Sequence, residues 1–297
     1  MNRFFLLTLS LFFPLSMMGQ LPFQKTDVKD VMKKVADWQI AHQKDVKHGA
    51  LDWTNAALYM GMLDWAELAE TEMGDASYYD WLVKLGRRYG WQPDKRMYHA
   101  DDIAVGQVFI DLYNKYKDKN MLYPTQARAE WVVNHPSDGP MDLDYKKRET
   151  LERWTWCDAL YMAPPVYVKL YMLTGDKRFI KFMNKEYKAT YDLLFDKDER
   201  LFYRDSRYLT QKEANGAKVF WGRGNGWVLG GLAEMLQDFP KNDKNRKFYE
   251  ELFVTLSARV AELQSADGFW HASMLDPASY PSPETSATGF IVYALAY

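Results

Sequence analysis

Apolar residues recur along this chain three or four positions apart, the spacing of one helix face, and almost every long segment after residue 28 keeps that period. Val28 to Lys47 puts Val31, Val35, Trp38 and Ala41 or His42 on one face. Gly49 breaks the pattern, and a helix rich in small and apolar residues opens at Leu51-Asp-Trp-Thr-Asn, running toward Glu72 and the Gly74-Asp75 stop. An amphipathic partner follows from about Tyr78 to Tyr89. The same two beats return as His99 to Tyr116 with Met121 to Asn134, Asp158 to Thr174 with Arg178 to Phe195, and Trp227 to Phe239 with Asp243 to Gln264. Glu284 to Tyr297 begins one more pair. No run reads as a buried strand, and only Leu201-Phe-Tyr203 and Phe269-Trp270 read as short hairpin pieces.

Between Asp52, Asp102, Asp158, Gly222 and Thr285 the unit lengths are 50, 56, 64 and 63 residues, so the pattern predicts a repeat of helix pairs. A first helix apolar on most sides and a second that is amphipathic imply an inner layer sheltered by an outer one. Open solenoids use shorter repeats, about 34 to 47 residues, which favours a closed ring. The loops that precede the apolar helices then gather at one mouth. The last helix ends in mid-pattern at Tyr297 without a stop signal, which predicts a ring short of its final helix pair.

With 297 residues and 47% hydrophobic content, the chain can bury a large core, and the reading is one domain over residues 20–297. A net charge of −2 gives no polybasic surface for nucleic acid or anionic lipid. Met1-Asn-Arg3, the apolar run Phe4 to Phe13 and the small or flexible residues to Gly19 read as a secretory signal over residues 1–19, too short to span a bilayer. Export, to a bacterial periplasm, and no membrane insertion are expected. The single Cys157 has no internal partner for a disulfide and is read as packing.

The aromatic content is high, with 11 Trp, 20 Tyr and 16 Phe, and position is what informs. Trp53, Trp154, Trp156, Trp221, Trp227 and Trp270 lie in or beside loops that precede a helix, where rings meet ligands more often than in mid-helix. Leu151-Glu-Arg-Trp-Thr-Trp-Cys-Asp158 sets one carboxylate among indoles at a helix start. Lost hydration raises the pKa of such a group and makes it a candidate general acid/base, although an N-cap role is the plainer reading. Phe220-Trp-Gly-Arg-Gly-Asn-Gly-Trp227 presents Arg223, an Asn and two Trp on a Gly-rich turn, a set suited to a sugar acid. No strand precedes its glycines, which excludes a dinucleotide fingerprint. His42, His48, His99, His135 and His271 are scattered singly, so no metal cluster is read, and no cofactor is called for.

Trp156-Cys-Asp-Ala-Leu-Tyr-Met162, Trp221-Gly-Arg-Gly-Asn-Gly-Trp227 and the closing Glu284-Thr-Ser-Ala-Thr resemble the unsaturated rhamnogalacturonyl hydrolases, glycoside hydrolase family 105, and the related unsaturated glucuronyl hydrolases of family 88. The likeness covers most of the chain from about residue 30. It implies an all-α (α/α)6 barrel and removal of a 4,5-unsaturated uronic acid from the non-reducing end of a polysaccharide-lyase product, with rhamnogalacturonan-type oligosaccharide as the substrate. Carried over by position, it implies Asp158 as general acid/base and Asp102 as the second active-site carboxylate, with Asp101 a close rival. Trp156, Trp221, Arg223 and Trp227 would contact the sugar. Arg204 departs from the pattern: family members often carry a His after the aromatic pair, and the substrate is expected to meet Arg204 there instead. Two other readings stand beside this one: a carbohydrate-binding barrel without catalysis, and an inverting hydrolase of saturated glycosides with carboxylates about 6.5–9.5 Å apart.

Overall fold

A computed structural model describes residues 24–297, and the leader read at residues 1–19 lies outside them. The chain divides into two compact units, Met1–Asp45 and Val46–Tyr297. In the first, α1 (Lys25–His42) starts with the Gln24 N–H donating to the Asp27 carboxylate at 2.9 Å, and near its end Trp38 stacks on His42.

The second unit holds α2 (Trp53–Met73), α3 (Ser77–Arg88), α4 (Ala100–Ile103), α5 (Gly106–Tyr116), α6 (Lys119–Asn134), α7 (Ala159–Met162), α8 (Pro164–Thr174), α9 (Lys177–Leu194), α10 (Gly222–Asp238), α11 (Arg246–Glu262) and α12 (Thr285–Ala296). Helices α2, α5, α8, α10 and α12 stand side by side in that order, while α3, α6, α9 and α11 each pack on the inner helix before them. This is the two-layer plan of an (α/α)6 barrel. Burial follows the predicted division: α10 hides nearly its whole circumference, whereas α9 hides one stripe, Phe179, Ile180, Met183, Tyr187, Thr190 and Leu194. The Leu201 hairpin piece is β2 (Leu201–Phe202), antiparallel to β1 (Phe195–Asp196).

Two segments differ from the periodic reading. The helix expected over 158–174 divides at Ala163, because Pro164 and Pro165 have no N–H to continue the ladder. The Gly-rich segment is no turn but the first turns of α10. Its glycines serve close approach: a Cβ on Gly222 would stand 2.2 Å from the His271 carbonyl oxygen, and one on Gly231 would stand 2.4 Å from that of Leu160. Asn225 is a clip within it. Its Oδ1 accepts the Phe202 N–H at 2.8 Å and its Nδ2 donates to the Phe202 carbonyl at 3.1 Å, fastening β2 to α10. Deeper in the barrel Lys169 on α8 donates to Asp111 of α5 at 2.9 Å and to Asp238 of α10 at 2.7 Å.

Candidate active site

The segments that open the inner helices converge, as the repeat predicts. A cavity of about 250 Å³ is lined by Asp52 and Trp53 where α2 begins, by Arg96, His99 and Asp101 around the start of α4, and by Trp156 and Asp158 before α7. Tyr145 and Arg204 come from the longer loops on either side.

Asp158 occupies the N-cap position of α7, but its carboxylate caps nothing. It is 9% exposed, and the Cys157 thiol donates to its Oδ2 at 3.4 Å. Burial pushes its pKa upward, and Arg204 and the Cys157 bond offset only part of that. Asp101 shares the cavity, and its Oδ1 is buried with no hydrogen-bond partner. Burial first, and the neighbouring Asp158 charge second, push Asp101 up to about 8. Two desolvated carboxylates in one cavity cannot both ionise cheaply, so the pair keeps one proton through neutral pH, and the titration belongs to the pair.

Asp102, expected as the second active-site carboxylate, faces away. Its Oδ2 accepts the Arg96 backbone N–H at 2.7 Å and its Oδ1 accepts the Arg96 side chain at 2.5 and 3.0 Å, so both its oxygens hold Arg96. One position along a helix start turns a side chain by about 100°, so of two adjacent acids only Asp101 reaches the cavity. Asp102→Ala should therefore act as a stability lesion: we expect a loss of about 2 kcal/mol or more in denaturant unfolding, from bonds to a charged group left unmade.

The aromatic expectations divide. Trp156 lines the cavity, tilted against His99 with centroids 4.7 Å apart, and Trp53 lines it from α2. Trp221 and Arg223 border a second cavity of about 370 Å³, whose wall includes Arg204, so Arg204 is common to both. The Arg223 guanidinium lies 4.3 Å from the Trp221 ring centroid, with Arg204 at 5.9 Å from the same ring. Trp227 does not line either cavity. Five residues into α10, it is 2% exposed among Tyr161, Phe290 and the edge of Trp53, and it braces the Trp53 wall from behind. Trp154 and Trp270 are core residues as well, the latter donating from Nε1 to the Val260 carbonyl at 2.7 Å.

Arg223 donates to Glu284 at 3.3 Å, and Glu284 caps α12 through Ser286 and Ala287, as read for a helix start. Arg96, His99 and Tyr145 were missed as cavity residues. His99 carried a legible signal, two positions before Asp101 at a helix start. Burial and then Arg96 lower its pKa to about 4, so the ring is neutral and its Nδ1 accepts the Asp101 N–H at 3.3 Å. Arg96 and Tyr145 lie in irregular loops with no periodic pattern to place them.

Residues 31–297 match the family profile described as Glycosyl Hydrolase Family 88. The chain belongs to glycosyl hydrolase family 88. It is a glycoside hydrolase. The protein named Unsaturated 3S-rhamnoglycuronyl hydrolase of Formosa agariphila is 36% identical over 291 residues, covering 95% of this family 88 chain and 76% of the relative. A solved structure titled a polysaccharide lyase aligns at TM-score 0.80 with 30% identity, over 91% of this chain and 76% of that one. A family 88 hydrolase from Bacteroides vulgatus aligns at TM-score 0.73 with 26% identity, over 90% and 77% of the two chains.

Proposed function

We propose that this hydrolase removes a 4,5-unsaturated uronic acid from the non-reducing end of oligosaccharides made by polysaccharide lyases, with a rhamnose-type sugar as the aglycone. The observation that carries the reading is one cavity that sets two carboxylates, Asp158 and Asp101, beside Arg204 and Trp156. An unsaturated uronide has an enol ether at C4=C5. Asp158 delivers its proton to C4, which creates an oxocarbenium centre between C5 and the ring oxygen. Water adds to C5 and returns a proton to the Asp158 carboxylate. The hemiketal opens, and the hemiacetal thus exposed at C1 releases the aglycone. Asp101 accepts from the attacking water or a ring hydroxyl. Arg223 pairs with the uronate carboxylate, and Trp156 and Trp221 offer ring faces to the sugar.

The name of the Formosa agariphila relative supports rhamnose beyond the scissile bond, and the apolar run Phe4 to Phe13 supports export to the periplasm. Incubation with lyase digests of rhamnose-containing uronans should make the absorbance of the conjugated carboxylate decay. A lyase would create that double bond and drive the same signal upward. A flat trace across such digests contradicts the proposal.

A further inference from the structure

Gln107, in the first turn of α5, is fully buried, and its side chain crosses to another helix. Its Nε2 donates to the Tyr161 carbonyl at 3.1 Å and to the Met162 carbonyl at 3.0 Å, the last two residues of α7. The proline break is what leaves these carbonyls open. The helical partner of the Tyr161 carbonyl would be the N–H of residue 165, which is Pro165 and has none. The partner of the Met162 carbonyl would be Val166, whose N–H goes to Ala163 at 3.0 Å. One amide nitrogen thus stands in for two lost ladder bonds. Both partners are acceptors, so the amide must face them nitrogen first, and its Oε1 is left buried with no donor. An orphaned buried oxygen costs stability, which points to placement rather than stability as the use of this side chain.

What it places is the pair of cavity carboxylates. On one side the Ala104 N–H donates to the Asp101 carbonyl at 3.3 Å, and the Gln107 N–H to the Ala104 carbonyl at 3.1 Å. On the other the Tyr161 N–H donates to the Asp158 carbonyl at 3.0 Å. A path of hydrogen bonds therefore joins Asp101 to Asp158, and the Gln107 side chain is the step that crosses between helices. We infer that Gln107 is a positioning residue for the hydrolysis: by tying α5 to α7 it fixes the separation of Asp101 and Asp158 across the cavity. The inference rests on the reading of those two carboxyls as the proton donor and its partner. Arg96, His99 and Asp102 belong to the segment of Asp101, and Cys157 to that of Asp158, whereas Asp52, Arg204 and Arg223 stand on neither. Loss of the bridge should thus change what one carboxylate feels from the other.

Carboxyl-carbon NMR of the free protein reads the pair without substrate. In the wild-type chain Asp101 should titrate at about 8, raised by burial and then by the Asp158 charge. Gln107→Met keeps the bulk of the side chain but has no donor, and Gln107→Asn keeps the donor one methylene short. In both, the Asp101 titration should fall toward the ordinary carboxylate range as the gap widens and water enters. On an unsaturated uronyl disaccharide, kcat should drop about 10- to 100-fold with KM nearly unchanged, and the alkaline limb should move toward acid together with the NMR titration. Tyr249→Phe in the outer layer, which loses a bond to Asn184 at 2.6 Å, serves as the structural control: its unfolding midpoint should fall while the Asp101 titration and the limb stay in place. If Gln107→Met does not fold, Gln107→Asn carries the comparison. An Asp101 titration that is unmoved or raised in the folded variants, or a loss confined to the unfolding midpoint, overturns the inference. A wild-type chain that leaves the disaccharide intact defeats the uronyl reading, and the NMR comparison still decides the role of Gln107.

Discussion

Asp158→Asn should lower kcat on an unsaturated uronyl disaccharide by about 10³-fold, within the 10² to 10⁴ range of a positioned proton donor, with circular dichroism and unfolding midpoint close to wild type. The amide preserves the shape of the buried side chain and its contact with the Cys157 thiol, yet it can neither give a proton to C4 nor recover one from water. Loss of rate without loss of sugar affinity is the expected signature, because this group acts in the transition state and adds little to ground-state binding. Retention of more than a tenth of the wild-type rate would move the acid role to Asp101.

The second large effect concerns the shared proton. In the wild-type protein, Asp101 held up to about 8 means that the pair retains one proton until mildly alkaline pH. Activity needs that proton, so kcat/KM should decline as pH rises past about 8. Asp101→Asn removes the neighbouring charge, and the coupling is reciprocal. Asp158 then loses its proton at lower pH, and the alkaline limb should shift toward acid, together with a fall in rate of about 100-fold from the lost water or hydroxyl contact. A pH-rate profile of wild type and variant measures both. A limb that stays in place would show that the two carboxylates titrate independently. The same raised value makes Asp101 a stability term: a carboxyl with a folded pKa above its unfolded one contributes fully below about pH 4, and that contribution is lost as pH rises through 8.

Much of this arrangement was legible before any coordinates. The alternation of apolar and amphipathic helices revealed two layers, and the position of Asp158 and Trp156 before an apolar helix placed them at the common mouth. Hydrophobic period locates a helix start to within a few residues but does not fix which neighbouring side chain faces inward, and Asp101 and Asp102 fall inside that uncertainty. For the same reason Trp227 read as a loop aromatic: glycines at 222, 224 and 226 look like a turn in one dimension, whereas in three they are contact points where α10 presses on its neighbours. Arg96 and Tyr145 depend on long loops whose course is set by tertiary packing, and no local pattern records it.

The Asn225 clip has a consequence for how such enzymes diverge. Because Phe202 is fastened to α10, the strand that leads into Arg204 and the helix that bears Arg223 travel as one piece, and the separation of the two cations is inherited as a unit. Grafting a relative's hairpin onto this barrel should carry substrate preference with it only when the asparagine at the graft junction is kept; without it, the transplanted arginine would arrive on a tether rather than on a scaffold.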